Sequence, residues 1–209
     1  VSGIKSQFPA GTIIVVDDAS EDGTSERAKA AGATVFPHTV NRGYNVSLKD
    51  GFRTATIQGA DIIVTCDADG QHRQEDIERV LEPILNGKAD LSMGERSEVP
   101  HLMEKVFSYY TRVFFGIRDP LCGLKVYSRK VYERIGYFDH SKGSLGTQLI
   151  LEAPSYGLRV VTVPIRAENR PDRSRFYIDS ARANFRVLRA MWRVIRQMHI
   201  KKEKRNLFV

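Results

Sequence analysis

The sequence contains little cysteine and no long apolar run. Its two cysteines, Cys66 and Cys122, lie far apart in the 209-residue chain and belong to no CxxC or Cys/His spacing, so neither a disulfide framework nor a zinc site is indicated. No stretch approaches the roughly 18 to 20 apolar residues that cross a bilayer, and the N-terminal VSGIKSQFPAG lacks the apolar core of a signal peptide. We therefore expect a protein of a reducing, cytoplasmic setting that is not integral to the membrane.

Glycine-rich phosphate loops are also missing. The chain has no GxxxxGK[ST] segment and no GxGxxG after a predicted strand. This argues against P-loop enzymes and ordinary dinucleotide oxidoreductases. A diphosphate bound by this chain would be held by a metal ion and basic side chains.

Positive charge is concentrated at the C-terminal end. Residues 170–209 carry 12 Lys and Arg against 3 Asp and Glu, a net charge of +9, whereas residues 1–169 carry a net charge of −2. A local basic block favours an anionic partner such as a membrane surface or a polyphosphate. We expect two parts, a main domain over 1–169 and a basic segment over 170–209.

The segment SARANFRVLRAMWRVIRQMHI predicts an amphipathic C-terminal helix. Phe185, Leu188 and Trp192 recur at helical spacing, and arginines recur along the same helix. Such a helix either packs on the domain with a solvated basic face or lies at the surface of anionic lipids. The two interpretations are compatible.

Strand and helix patterns alternate along the first 169 residues. Strands are predicted in GTIIVVDDAS, ATVFPH, ADIIVTCDADG, ADLSMGER and LRVVTVPIRA, and a short strand lies within RDPLCGLKVYSRKVYERIG. Helices are predicted in TSERAKAAG, NVSLKDGFRTATIQG, RQEDIERVLEPILNG, HLMEKVFSYYTRVFFG and the end of RDPLCGLKVYSRKVYERIG. GTIIVV and DIIV are apolar on both faces, so both are predicted to be buried parallel strands. The order predicts an α/β fold with right-handed crossovers.

Acidic residues follow two of the predicted strands. Asp17 and Asp18 come after GTIIVV, and Asp67 and Asp69 come after DIIVTC. Ligands of open α/β sheets bind beyond the carboxyl ends of the strands, so these acids are candidates for a site. For a lone Asp the simpler interpretation is a cap of the next helix or an Asx turn.

Asp67 and Asp69 are separated by one residue and would repel each other without a counter-charge. A hard divalent cation, Mg²⁺ or Mn²⁺, removes this conflict and leaves coordination sites for substrate phosphates. Gln71 can add a third oxygen, whereas we expect His72 to contact a ligand or substrate instead of the metal. The sequence therefore predicts a metal and diphosphate site here.

Four segments together resemble a known family. VVDDASEDGT, NRGYNVSLKDGF, CDADGQH and GIRDPLCGLKVYSR occur in the order seen in family 2 glycosyltransferases of the GT-A fold. The chain is most similar to the branch of dolichyl-phosphate and polyprenyl-phosphate sugar synthases, from about Gly11 to about Val163. The resemblance implies a Rossmann-like, mostly parallel central sheet flanked by helices, a nucleotide-sugar donor, a divalent metal and inversion at the anomeric carbon.

The resemblance also implies roles on the donor side. Asp17 and Asp18 would contact the base and ribose of the nucleotide, and Lys49 would approach the donor. Asp67 and Asp69 would bind the metal, Asp67 also facing the nucleotide. Gln71 matches the glutamine of the same motif.

On the acceptor side the resemblance implies a second set of residues. Arg96 matches an arginine near the acceptor, and Asp119 and Lys125 match a segment that lines the acceptor pocket. An alcohol acceptor needs a general base, for which Asp119 is the candidate. A lipid phosphate is already an anionic nucleophile, so Asp119 would then orient groups while Arg96, Arg112 and Lys125 bind the phosphate.

The chain departs from the family pattern at two places. The family opens with a strand and a Pro-x-Tyr-Asn-Glu loop that helps to hold the nucleotide, and the sequence starts after that segment. Asn45 stands where the family often has glycine.

The most consistent hypothesis is a glycosyltransferase that is peripheral at the membrane and uses a polyprenyl or dolichyl phosphate acceptor. An alternative is transfer to a saccharide or lipopolysaccharide hydroxyl. A different class is a binding module whose basic tail engages nucleic acid while the acids only cap helices. Because no DNA- or RNA-binding motif is present, we expect no nucleic-acid partner.

Overall fold

The computed structural model describes residues 1–70, 72–97, 102–135 and 145–166, together with residues 188, 189, 192 and 196. Its strands are β1 (Ile14–Asp17), β2 (Thr34–Pro37), β3 (Ile62–Thr65), β4 (Leu91–Arg96), β5 (Lys125–Ser128) and β6 (Val160–Ile165). Its helices are α1 (Ser2–Gln7), α2 (Thr24–Ala30), α3 (Tyr44–Ile57), α4 (Gln74–Leu85), α5 (Leu102–Phe115), α6 (Arg129–Ile135) and α7 (Leu145–Glu152). None of the helices in these ranges combines the length and the apolar character needed to cross a bilayer. The chain forms two compact units, residues 1–63 and 64–209.

The first unit is built on a parallel pair of strands. β1 and β2 pair in register from Ile14 opposite Thr34 to Asp17 opposite Pro37. α3 packs against β1 and buries Phe52. The parallel register brings the carboxyl ends of both strands to the same edge of the sheet. Asp17 and His38, which follows Pro37, lie at this edge.

The second unit contains a four-stranded sheet in the order β3-β5-β4-β6. β4 pairs in parallel with β6 and antiparallel with β5. α4 packs against β4, β5 and β6 because its stripe of apolar residues, which includes Val80, is buried. Leu91, Met93 and Val126 form the fully buried centre of the sheet.

The predicted α/β architecture is confirmed, and the strands and helices that were predicted within the described residues occur in the predicted order. Two details differ from expectation. β1 and β3 are only partly buried, and Val64 of β3 is 39% exposed. β1 belongs to a two-stranded sheet, which gives it fewer covering neighbours than a strand inside a large parallel sheet. The antiparallel β5 also interrupts the parallel order.

Two helices were not predicted, and one prediction cannot be compared. α1 and α7 lie in VSGIKSQ and LGTQLILE, where no helical pattern was recognised. The predicted C-terminal helix and the basic segment 170–209 lie outside the described residues, apart from four positions. Among these, Leu188 and Trp192 are exposed, and the Arg196 guanidinium lies 5.3 Å from the Trp192 ring centroid.

Candidate active site

Asp17 ends β1 and is tied to the segment that follows it. The Ser20 amide donates to Oδ1 at 3.0 Å, and the Ser25 hydroxyl donates to Oδ2. Hydrogen bonds from Ser20 and Ser25 hold the pKa of Asp17 below its usual value. The nearly buried carboxylate is thus ionised and connects β1 to the first turn of α2. Ala19 between them has φ +60°, a left-handed conformation that a non-glycine residue adopts at a cost of roughly 1 kcal/mol or more.

Asp18 organises the loop that follows β2. Its Oδ1 accepts the Arg42 amide at 2.8 Å, and its Oδ2 accepts the Gly43 amide at 2.8 Å. His38 Nδ1 lies 2.7 Å from Oδ1. Burial raises the pKa of Asp18, but these hydrogen bonds outweigh burial and hold the pKa below its usual value. Both carboxylate oxygens are therefore occupied by the chain itself.

His38 lies between two carboxylates, a feature that the sequence analysis missed. Its Nε2 is 3.0 Å from Asp50 Oδ2, which also accepts Arg42 Nη1 at 3.0 Å. The imidazole is buried, and only its doubly protonated form can donate to both Asp18 and Asp50. The position of His38 just after a strand was a usable signal, the same one that identified the acids. Asp50, inside α3, has no such signal.

Lys49, the remaining donor-side candidate in the first unit, lies in α3 and is half-buried. Its helix is the one that carries Asp50. Its predicted approach to the donor stays a prediction.

Asp67 and Asp69 follow β3, as predicted, and both are half-buried. The Asp67 carboxylate lies directly against the backbone of Gly123. A Cβ added to Gly123 would lie 2.6 Å from Asp67 Cγ and 3.0 Å from Oδ1, and closer still to Oδ2. Any residue with a Cβ at position 123 would displace this carboxylate, so the observed arrangement requires glycine.

The donor set at Asp67 and Asp69 fits a hard divalent cation. Both residues offer carboxylate oxygens, and Gln71, the predicted third ligand, lies outside the described residues. No group of three or more His, Cys, Asp or Glu with metal-site geometry occurs among the described residues. Two protein carboxylates suit a cation such as Mg²⁺, which keeps several waters and binds substrate phosphates.

His72 lies beside this acidic pair. Burial lowers the pKa of His72, against an opposing effect of Asp67, so the ring is held towards its neutral form. Its Nδ1 is buried and makes no hydrogen bond in the part of the chain that the structure describes. His72 also borders a shallow depression lined by Gly70, Arg73, Gln74 and Glu75.

Arg96 and Asp119 form a buried ion pair on the predicted acceptor side. Arg96 Nε donates to Asp119 Oδ2 at 2.7 Å and Nη2 donates to Oδ1 at 2.9 Å. The Arg96 amide also donates to Oδ2 at 3.2 Å. Asp119 is 1% exposed. Burial lowers the pKa of Arg96, but the pair with Asp119 more than offsets this and raises it.

Glu104, from the first turn of α5, completes an acceptor-side cluster with Arg96 and Asp119. Its Oε2 lies 3.5 Å from Arg96 Nη2. Burial raises the pKa of Glu104, against the opposing charge of Arg96. Sequence reasoning missed Glu104 because an acid in the first turn of a helix is ordinarily a favourable contact with the helix dipole.

The loop 119–125 connects this cluster to Asp67. Asp119 binds Arg96, the Cys122 amide donates to Asp119 O at 3.2 Å, and Gly123 packs on Asp67. Lys125 closes the loop, because its Nζ donates to the Cys122 carbonyl oxygen. Lys125 is buried, and burial lowers its pKa.

The two cysteines are free thiols, and both belong to this region. Burial raises the pKa of Cys66 and of Cys122 to about 11, so both remain protonated at neutral pH. Neither thiol has the character of a nucleophile or a metal ligand.

Arg112 differs from the other acceptor-side candidates because it lies on the exposed face of α5. Glu104, Phe107 and Thr111 form the buried face of the same helix. Arg96, Asp119 and Lys125 are thus brought together by the structure, and Arg112 points elsewhere.

Comparison with known proteins identifies relatives over most of the chain. The family described as "Glycosyl transferase family 2" matches residues 2–136. A polyprenol monophosphomannose synthase of Mycolicibacterium smegmatis is 32% identical over 81% of this chain and 71% of that protein. An undecaprenyl-phosphate mannosyltransferase of Micrococcus luteus is 29% identical over 78% of this chain and 74% of its own.

A solved structure shares the fold. It is glucosyl-3-phosphoglycerate synthase of Mycobacterium tuberculosis, crystallised with Mn²⁺, UDP-glucose and phosphoglyceric acid. The TM-score is 0.68 at 20% identity, and the match covers 92% of this chain and 73% of the other. This likeness confirms the GT-A fold.

Proposed function

Because the chain belongs to glycosyl transferase family 2, we propose that it is a metal-dependent, inverting enzyme that moves a sugar from a nucleoside diphosphate to a polyprenyl or dolichyl phosphate. Two relatives named for polyprenol and undecaprenyl phosphate support this acceptor class. The observation that carries the choice of acceptor is the pairing of Arg96 with Asp119.

On the donor side, Asp17, Asp18 and Lys49 are proposed to bind the nucleotide. The internal hydrogen bonds of Asp18 fix the loop from His38 to Gly43, so its role includes shaping that loop. Structural relatives crystallised with Mn²⁺ and UDP-glucose support a nucleotide-sugar donor.

Asp67, Asp69 and Gln71 are proposed to hold a divalent cation, Mg²⁺ or Mn²⁺. When bound, the cation supplies positive charge that stabilises the leaving diphosphate. The bare backbone of Gly123 leaves the room that the Asp67 carboxylate occupies.

A phosphate acceptor fits Asp119 better than an alcohol acceptor does. Both of its oxygens already accept hydrogen bonds from Arg96, and it is almost completely buried. A general base must have an oxygen within hydrogen-bond reach of the proton that it takes. A phosphate oxygen is already anionic and needs no base, so Asp119 is proposed to position Arg96.

Arg96 then binds the acceptor phosphate. Its Nε and Nη2 are used by Asp119, and Nη1 makes no hydrogen bond with any described residue. The free Nη1 donors suit a phosphate oxygen. Lys125 is proposed to act on the acceptor side by holding the loop 119–125 through Cys122.

The reaction is a direct displacement. An acceptor phosphate oxygen forms a bond to the anomeric carbon on the face opposite the leaving group, and the bond from that carbon to the diphosphate oxygen breaks. The configuration at the anomeric carbon is inverted. Arg96 orients the attacking phosphate, while Asp67 and Asp69 would hold the cation that stabilises the leaving diphosphate.

A double-mutant cycle tests the assignment of Asp119. Transfer to a polyprenyl phosphate is measured with Mn²⁺ and GDP-, UDP- and dTDP-sugars for Arg96→Gln, Asp119→Asn and the double variant. If Asp119 acts only through Arg96, the double variant is no slower than Arg96→Gln alone. A further loss of tenfold or more in the double variant would mean that Asp119 acts directly on the reaction.

The chain offers a matched control for this cycle. Arg159 holds Asp90 in the same way, with its amide at 2.9 Å and Nε at 3.1 Å from Asp90 Oδ2. Asp90→Asn should lower stability without a selective loss of transfer.

Transfer to a saccharide or lipopolysaccharide hydroxyl is the alternative. That enzyme would glycosylate a hydroxyl acceptor and ignore polyprenyl phosphate, and Asp119→Asn would abolish its activity. A nucleic-acid module would show no metal-dependent binding of nucleotide sugars.

The proposed acceptor class also supports a location at a membrane surface, where a polyprenyl phosphate is presented. We propose a peripheral contact to which the basic segment 170–209 contributes, since its net charge is +9. Co-sedimentation with anionic vesicles, compared with neutral ones, tests this contact.

A further inference from the structure

The outer face of α5 is an exposed stripe of apolar and basic side chains. Its residues recur every three or four positions, the spacing of one helical face: Leu102, Lys105, Val106, Tyr109, Arg112 and Val113. Tyr109 is 71% exposed, Val113 58% and Val106 42%, and Phe114 beside the stripe is 66% exposed. A continuous apolar surface of this kind on a globular protein marks an interaction site.

The charges of this face are all positive. Lys105 and Arg112 lie on it, whereas Arg118, exposed just after the helix, is paired with Glu95 at 3.5 Å. The single acid of α5, Glu104, is on the opposite, buried face and contacts Arg96. Helices that lie at the surface of anionic lipid bilayers typically combine an apolar stripe that includes an aromatic residue with basic residues at its borders.

The same helix is fixed to the acceptor-side cluster near both ends. Near its start Glu104 lies 3.5 Å from Arg96. At its end the Thr111 hydroxyl donates to the Ile117 carbonyl oxygen at 2.7 Å, two residues before Asp119. A surface bound to the outer face is therefore held about one helix diameter, roughly 10 Å, from the residues proposed to bind the acceptor phosphate.

We propose that the outer face of α5 docks on an anionic lipid surface and brings the acceptor-side cluster to the head groups. The proposal rests on the proposed function, since a polyprenyl phosphate is presented at such a surface. It assigns a contact to residues other than those of the basic C-terminal segment. A lipid surface fits better than a second copy of the chain, because two copies of this face would bring Lys105 and Arg112 of one copy against those of the other.

The test removes the apolar character of the face without touching Arg96, Glu104 or Asp119. Val106→Gln/Val113→Gln is compared with Ile57→Gln/Leu85→Gln, a control pair of exposed apolar helix residues that are 75% and 64% exposed. Binding is measured by co-sedimentation of the full chain with vesicles of phosphatidylglycerol and phosphatidylcholine, and with phosphatidylcholine alone. Thermal unfolding confirms that each variant is folded.

The proposal expects at least a tenfold loss of affinity for the anionic vesicles in the α5 pair and less than a twofold change in the control pair. A second variant, Val106→Phe, enlarges the apolar face and should strengthen binding, which a folding defect cannot imitate. Equal binding of the wild type and the α5 pair overturns the proposal, as does failure of the wild type to bind. A wild-type dimer that the α5 pair alone disrupts, with vesicle binding unchanged, assigns the face to self-association and also overturns it.

Transfer to a water-soluble, short-chain isoprenyl phosphate separates this proposal from the proposed function. Both variant pairs should retain wild-type rates with that acceptor. If the wild type transfers no sugar to this soluble acceptor, the proposed function is wrong. The vesicle-binding result then still decides the docking proposal independently.

Discussion

Replacing Gly123 by alanine should inactivate the enzyme while leaving it folded. The added Cβ would lie 2.6 Å from Asp67 Cγ, whereas an ordinary contact begins at 3.4 Å, so the carboxyl group must move by at least about 0.8 Å. Gly123 has no positive φ that would disfavour alanine. A short side chain at a half-exposed site can move at little cost, so the free energy of unfolding should fall by about 1 kcal/mol or less.

The displaced carboxylate is one of only two proposed for the cation. A misplacement of about 1 Å near reacting groups can cost on the order of 100-fold in rate. We therefore expect Gly123→Ala to weaken Mn²⁺ binding at least tenfold, measured by calorimetry with a nucleoside diphosphate present, and to lower kcat/KM for transfer by about 100-fold.

Gly51→Ala is the matched control for this substitution. Gly51 lies in α3, and its added Cβ would meet Val16 Cγ2 at 3.4 Å, an ordinary contact. Alanine is favoured over glycine in a helix by up to about 1 kcal/mol, so this variant should be as stable as the wild type or more so, with normal Mn²⁺ binding. Unchanged metal affinity and activity in Gly123→Ala would refute the role given to the Asp67 position.

Two further predictions concern charged groups whose pKa values the fold shifts. Asp18→Asn should lower the free energy of unfolding at pH 7 by about 2 kcal/mol, because hydrogen bonds to a charged acceptor are lost. The folded state lowers the pKa of Asp18, so this difference should be complete above about pH 5 and shrink as the pH falls through the lowered folded pKa in acid titrations. For Lys125, whose pKa is lowered from 10.5 by burial, the unfolded chain holds the proton more tightly. The stability of the wild type relative to Lys125→Met should therefore rise as the pH approaches 10.5 in urea unfolding experiments, and a flat difference would contradict burial of the charged amine.

The sequence was sufficient for the parts of the fold that depend on local pattern. The runs IVVD and IIVT and the acids at their ends predicted β1, β3 and the acidic strand ends, because an apolar strand and the acids that follow it leave a signal within ten residues. α7 was missed because its eight residues are almost all buried, so its sequence lacks the alternation of polar and apolar faces.

Contacts between distant residues were outside the reach of pattern reasoning. The pairing of His38 with Asp50 requires a loop after β2 to meet the middle of α3. The sequence around either residue does not indicate that the other is its partner. The contact of Gly123 with Asp67 joins positions 56 residues apart, as the numbering shows. It is possible only because glycine has no Cβ. Similarity to a family pointed to CDADGQH and RDPLCGLK separately but did not reveal that one touches the other.

The loop 119–125 has a thermodynamic consequence for the order of binding. One end holds Arg96 through Asp119, and near the other end the backbone of Gly123 lies against Asp67, so a shift of the loop would change the surroundings of both side chains. Ligands that act on one element in this way change each other's affinity by the same factor, because linkage is reciprocal. If binding of an acceptor at Arg96 raises the affinity for the cation and the donor, a bound donor raises the affinity for the acceptor by the same factor. A favourable coupling of this kind would stabilise the complex that holds both substrates over the one that holds the donor alone, and so limit transfer of the sugar to water.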